Sequence, residues 1–185
     1  MNKKLIEKSF ENILFALNKN ENIDQDVFAE TPRRMVALYE EIFSGLSQDP
    51  KEFFTRTYPI SSNDLIIEKD VTFFSTCEHH LLPFFGKISI GYIPNGKIIG
   101  FGDIVKVVEA FSKRPQLQER LAEQIATTIY ENLNCNGVCV YIEAEHLCMT
   151  MRGVKKPGSK IVTVSSKGVF EDSNLRTEFF NLIRS

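Results

Sequence analysis

The chain has 185 residues, of which 43% are hydrophobic, 25% are charged and 15 are phenylalanine; that is enough apolar material for one well-packed domain and too little charge for wholesale disorder. A net charge of -2 argues against a nucleic-acid binder, which needs a basic excess to meet phosphates. No run approaches the roughly 20 apolar residues of a membrane span, and Glu7 with the polar residues after it interrupts the apolar core a signal peptide requires, so the expectation is a cytoplasmic protein with reduced thiols.

Leu5, Ile6, Phe10, Ile13, Leu14 and Leu17 recur at helical spacing and predict an amphipathic helix over the first twenty residues. Thr31-Pro32 predicts an N-cap followed by proline in the first turn, opening a second helix whose buried stripe is Met35, Leu38, Tyr39 and Ile42 and whose end lies near Gly45. Residues 47–60 mix prolines, charges and aromatics without a period and read as a connector. From Leu65 the texture becomes strand-like. Ile88, Ile90 and Tyr92 alternate with Ser89 and Gly91, and Pro94-Asn95-Gly96 before Lys97-Ile98-Ile99 predicts a hairpin.

Ile104, Val107, Val108 and Phe111 predict a helix over 103–113 with Asp103 as its N-cap. Leu117, Leu121, Ile125, Ile129 and Leu133 predict a longer one over 115–133, with Gly137 just past its end. Residues 138–145 and 160–165 return to strand patterning. Helical arm, paired strands, two helices, paired strands is the order of an α+β domain, an antiparallel sheet with two helices on one face. The division is an N-terminal helical arm and connector over 1–60 and a main domain over 61–185.

The three histidines fall in two short segments that also carry cysteines, Cys77-Glu78-His79-His80 and His146-Leu147-Cys148. Thiolate sulfur and imidazole nitrogen drawn from separated stretches are what a zinc ion with few protein ligands requires. A Cys-x-x-His pair reaches one ion from a single turn, and the second segment supplies a third ligand. Three ligands leave a fourth tetrahedral position open, the mark of a catalytic zinc. Cys135 and Cys139 read as core thiols, since Cys139 alternates with Val138 and Val140 in a strand pattern.

Four fragments occur in one order: Ser75-Thr76-Cys77-Glu78-His79-His80, Gly91-Tyr92-Ile93-Pro94, Arg114-Pro115-Gln116-Leu117-Gln118-Glu119-Arg120-Leu121, and His146-Leu147-Cys148-Met149 with Arg152-Gly153-Val154. Together they resemble GTP cyclohydrolase I, a tunnelling-fold enzyme family that opens the guanine imidazole ring of GTP. The resemblance runs from about Thr31 to the C-terminus. It implies that Cys77, His80 and Cys148 hold Zn2+, that His79 and His146 transfer protons, and that Gln118 and Glu119 recognise the guanine. It further implies that Arg34, Arg152 and Lys106 contact the triphosphate, and that the protein is a homo-oligomer, a decamer in most of the family.

One segment departs from the family pattern. Where the family reads leucine, serine and lysine, with an arginine three residues on, this chain has Phe101, Gly102 and Asp103, with Lys106 at the arginine position. A hydroxyl and a cation are lost and an anion is gained. The alternatives that remain are a zinc enzyme acting on a different purine nucleotide and a catalytically silent homologue stapled by zinc.

Overall fold

Helix α1, Lys3–Leu17, begins where the Asn2 side chain accepts the Leu5 N–H at 3.1 Å, a cap that satisfies one of the free donors of the first turn. The computed structural model describes residues 1–18 and 23–184, so residues 19 and 20 of the expected first helix lie outside the described residues. Helix α2, Gln25–Ile42, lies against α1, with Phe10 and Tyr39 meeting edge to face at 5.4 Å and Lys3 paired with Glu40. These two helices make up a first unit, Met1–Ser44; the second is Gly45–Ser185.

Thr31 is not the cap of α2. Asp24 caps the helix by accepting from the Asp26 N–H at 3.1 Å, and Pro32 sits buried inside it. Proline lacks only its own N–H and crowds one carbonyl four residues back, so a helix already capped and packed upstream continues through it.

In the second unit a 3-10 turn over Pro50–Phe54 and strand β1, Thr57–Pro59, occupy the expected connector. The strands that follow are β2, Ile66–Cys77, β3, Pro83–Ile93, and β4, Lys97–Ile99. The turn at Gly96, with φ +75°, is present, but the expected hairpin is not: β4 pairs antiparallel with β1, Tyr58 opposite Ile98. The reason is that both edges of β3 are already taken, by β2 (Tyr92 opposite Ile66) and by β6, Gly137–His146 (Tyr92 opposite Val138).

Helix α3 spans Phe101–Ser112, strand β5 is the dipeptide Pro115–Gln116, and helix α4 spans Gln118–Leu133. The N-cap of α3 is Gly100 rather than Asp103, because the Asp103 and Ile104 N–H groups already bond the Gly100 carbonyl at 2.9 and 3.3 Å. The left-handed residue ending α4 is Asn134, φ 53°, whereas Gly137 opens β6. A four-residue helix α5, Leu147–Thr150, strand β7, Ile161–Gly168, and helix α6, Ser173–Arg184, complete the chain.

The sheet order is β5-β2-β3-β6-β7, antiparallel except for the short β5-β2 pair. Alternation sends Ile88, Ile90, Val138, Val140 and Ile142 to one face, where they share a core with Ile104, Val108, Leu121, Ile125 and Ile129 of α3 and α4. This is the expected α+β layering of two helices on one face. Helix α6 adds a patch that was not expected: Phe179 packs with Cys139 and Phe170 in a second cluster. Gly91 makes room for it, since a Cβ there would stand 2.6 Å from the Phe179 ring. Among the described residues no helix is long and apolar enough to cross a membrane.

Candidate metal centre and active site

Strands β2 and β6 end at the same side of the sheet where β3, β5 and α4 begin, so Cys77, Phe84, Gln116, Gln118 and His146 are brought to one rim. Thr76 and Cys77 lie opposite Pro115 and Gln116, and Phe84 lies opposite His146. Beyond β2 the chain turns tightly: Cys77 donates its N–H to the Leu82 carbonyl at 2.9 Å and accepts from Leu81 at 2.8 Å, with Leu81 at φ 52°. This loop folds His80 back over Cys77. Across the rim, α5 delivers Cys148.

The Sγ atoms of Cys77 and Cys148 and a ring nitrogen of His80 lie within 4.8 Å of one another, the only such group of potential metal ligands among the described residues. Two Zn–S bonds of about 2.3 Å at a tetrahedral angle hold their sulfurs about 3.8 Å apart, so a metal ion fits after a small closure. Two thiols and an imidazole are also the donor chemistry of a borderline-soft divalent cation. Burial and the neighbouring Cys77 sulfur push the Cys148 thiol up from its ordinary value, as expected where two sulfurs crowd without an intervening charge. Cys135 and Cys139 are buried elsewhere, and burial raises Cys135 to about 11, the mark of an inert core thiol.

The loop that follows Cys77 is tied to α4. Arg120 donates both ends of its guanidinium to Glu78, at 2.5 and 3.1 Å, and the Glu78 N–H bonds the Gln116 carbonyl at 3.0 Å. The hydrogen bonds from Arg120 hold the Glu78 carboxyl below its ordinary value. Arg152 places Nη1 3.1 Å from His80 Nε2.

His146 is held on two sides. Its ring lies flat on Phe84, centroids 4.5 Å apart and planes at 6°, and its Nε2 stands 2.7 Å from Gln118 Oε1. Burial lowers the imidazole below its ordinary value, and the Glu119 carboxylate partly restores it. Gln118, only 2% exposed, directs its Nε2 at the Ile161 carbonyl (3.0 Å), Thr163 Oγ1 (3.1 Å) and the Ile142 carbonyl (3.3 Å). Glu119 and His79 are exposed at the same rim.

The other expected residues lie as follows. Lys106, one turn into α3, pairs with Asp103 at 2.8 Å and stands 6.0 Å over the Phe53 ring. Arg34 belongs to the first unit, where it pairs with Glu30 at 2.5 Å. Phe84, Thr163 and the Glu78–Arg120 pair were not singled out from the sequence. Glu78 and Arg120 both stand inside the motifs that carried the resemblance, a signal that was present; Phe84 and Thr163 carried none.

Residues 6–184 match the family described as GTP cyclohydrolase I. The chain belongs to that family. It is 53% identical over 185 residues to the GTP cyclohydrolase 1 of Fusobacterium nucleatum subsp. nucleatum, covering 100% of this chain and 98% of the relative. The GTP cyclohydrolase 1 of Clostridium perfringens strain 13 is 48% identical over 184 residues, covering 99% and 98%, and that of Dehalococcoides mccartyi strain BAV1 is 49% identical over 182 residues, covering 97% and 95%. Among solved structures, the apo form of the archaeosine synthase QueF-Like matches with a TM-score of 0.47 and 21% identity over 58% of this chain and 97% of that one. GTP cyclohydrolase I membership therefore extends over nearly the whole sequence.

Proposed function

We propose that the protein opens the guanine imidazole ring of GTP by hydrolysis, giving 7,8-dihydroneopterin triphosphate and formate. The convergence of Cys77, His80 and Cys148 at one rim, beside His146 and Glu119, in a member of this family carries the reading. Cys77, His80 and Cys148 hold a zinc ion, which when bound supplies Lewis acidity and brings the pKa of a water toward about 7.

The chain's own side chains do the rest. Glu119 accepts from N1–H and the exocyclic amine of guanine, a donor pair that adenine lacks. The ring carbon attacked by water is C8, which leaves as formate, and His79 and His146 carry protons to and from the purine as its bonds to C8 break. Histidine suits the task because its charge changes near neutral pH. Lys106 and Arg152 contact the triphosphate, and the resemblance alone adds Arg34. Burying the His146 ring against Phe84 keeps it from rotating freely in water. A homo-oligomer is carried over from the resemblance, and a cytoplasmic location from the reading of the chain's own sequence.

The test is to incubate zinc-loaded protein with GTP and to follow formate together with the fluorescent pterin formed on oxidation. Both are expected in equal amounts. Neither product from protein shown to hold one zinc per chain would reject the reading.

A further inference from the structure

Two contacts fix the His146 ring, and they do different things. The stack on Phe84 sets the plane of the imidazole, but it is indifferent to a half-turn of the ring within that plane. Only a directional partner in the plane can decide which ring atom points where.

Gln118 is that partner. One end of its amide faces the Ile161 and Ile142 carbonyls at 3.0 and 3.3 Å. A carbonyl oxygen can only accept, so that end is the NH2 group and the opposite end, 2.7 Å from His146 Nε2, is the oxygen. An amide oxygen also can only accept. The proton between the two groups therefore belongs to His146 Nε2, and in the neutral ring the lone pair is left on Nδ1. Thr163 Oγ1, a hydroxyl able to accept as well as donate, stands 3.1 Å from the same nitrogen and is compatible with that orientation.

We infer that Gln118 is a positioning residue: anchored by strands β6 and β7, it holds His146 as the Nε2–H tautomer, so that Nδ1 is the atom that takes up or returns a proton. The inference rests on the reading of His146 as a proton carrier in ring opening. It gives Gln118 a role exercised through His146, and a direct guanine contact has a different kinetic signature. Loss of a guanine contact raises KM, whereas loss of the tautomer leaves GTP bound and lowers kcat. A ring free to turn presents the wrong atom for part of the time. Partners that orient a metal-ligating histidine typically contribute about 10- to 100-fold, and a proton-carrying histidine is expected to respond on the same scale.

The chain has 3 histidines, so the zinc-loaded protein labelled with 13C,15N-histidine gives a simple magic-angle-spinning carbon–nitrogen correlation spectrum, in which Nδ1 is recognised by its link to Cγ and Nε2 by its link to Cδ2, and protonated and bare nitrogens are well separated in shift. His146 is identified by the signals missing in His146→Gln. The expected wild-type pattern is a ring protonated on Nε2 and bare on Nδ1. A ring protonated on Nδ1 alone overturns the inference without recourse to any variant.

Gln118→Met keeps the length of the side chain and removes its hydrogen bonds. It is expected to mix the two tautomers and to lower kcat about 10- to 100-fold with KM for GTP within about threefold. Thr163→Val, a gentler change on β7, moves both readouts in the same direction by a smaller factor. An unchanged tautomer in Gln118→Met, or a raised KM at constant kcat, sinks the inference. If the wild type fails to open GTP at all, the proposed function falls, and the spectrum still decides whether Gln118 sets the ring.

Discussion

The imidazole of His146 lies flat on the ring of Phe84, centroids 4.5 Å apart and planes inclined by 6°. The two residues face each other across strands β6 and β3, and Phe84 is fully buried and meets Phe73 edge to face at 5.8 Å. The imidazole is thus seated on the hydrophobic core itself. Phe84→Leu keeps the apolar volume and loses the flat face. It is expected to cost about 1–2 kcal/mol in urea unfolding and to lower kcat about tenfold with little change in KM, because the plane of His146 is no longer set. Lost stability with full kcat would leave Phe84 as core packing alone.

The metal site predicts a sharp split among the four cysteines. Cys77→Ser, Cys148→Ser and His80→Ala remove a donor from the group within 4.8 Å, and bound zinc is expected to drop from one per chain to below about a tenth. Cys135→Ser, in the core and 5% exposed, keeps its metal while losing some stability. Elemental analysis after dialysis against a chelator reads the outcome. Full occupancy in Cys148→Ser would place the ion elsewhere.

Arg120 reaches Glu78 with two hydrogen bonds, at 2.5 and 3.1 Å. Glu78 lies between Cys77 and His79, so the pair steadies the loop that carries Cys77 and His80, two of the three candidate ligands. Arg120→Lys keeps the charge but loses the planar fork. Zinc affinity in Arg120→Lys is expected to fall about tenfold, measured by competition with a coloured chelator. Equal affinity would reduce the pair to an exposed contact.

Glu68 gives a pH prediction. Beside the bulge in β2 its Oε2 is buried with no hydrogen-bond partner among the described residues, and burial raises its pKa from 4.5 to about 7. Between those values the unfolded chain has released the proton that the folded chain still holds, so stability falls as pH rises from 4.5 through 7 and levels off above. One full proton gives a slope of about 1.4 kcal/mol per pH unit, and partial exposure reduces it. Glu68→Gln is therefore expected to unfold at higher urea than wild type at pH 8 and at the same concentration at pH 5. Parallel pH profiles for the two proteins would show that Glu68 does not titrate in this range.

The clustering of Cys77, His80 and Cys148 was legible because its information is local: Cys77 and His80 share a turn, and Cys148 stands in a segment whose chemistry is visible without the fold. The layering of α3 and α4 was legible for the same reason, since helical spacing is written along the chain. What was not legible depended on pairing. The surroundings of Gln118 come from residues 24 to 45 positions away, and nothing along α4 announces them. The partner of β4 is set by occupancy, because β3 has no free edge left, and turn residues at Pro94-Asn95-Gly96 cannot report that. Helix α6 docks only because Gly91, nearly ninety residues earlier, leaves space for Phe179.

The altered segment at the start of α3 yields the last prediction. Lys106 pairs with Asp103 at 2.8 Å across one helical turn, so under the proposed function the carboxylate neutralises a cation that would otherwise meet the triphosphate. Asp103 is not needed to begin the helix, because Gly100 is the cap. Two unit charges about 4 Å apart interact by about 4 kcal/mol near a protein surface, and exposed pairs retain at most about 1 kcal/mol of that. Asp103→Asn frees Lys106 and removes a repulsion, so KM for GTP is expected to fall about three- to tenfold, with the gain shrinking as salt is raised. Lys106→Met should raise KM in the same assay. If Asp103→Asn leaves KM unchanged at low salt, the triphosphate does not lie beside this turn, and the cations that hold it are to be sought around Arg152.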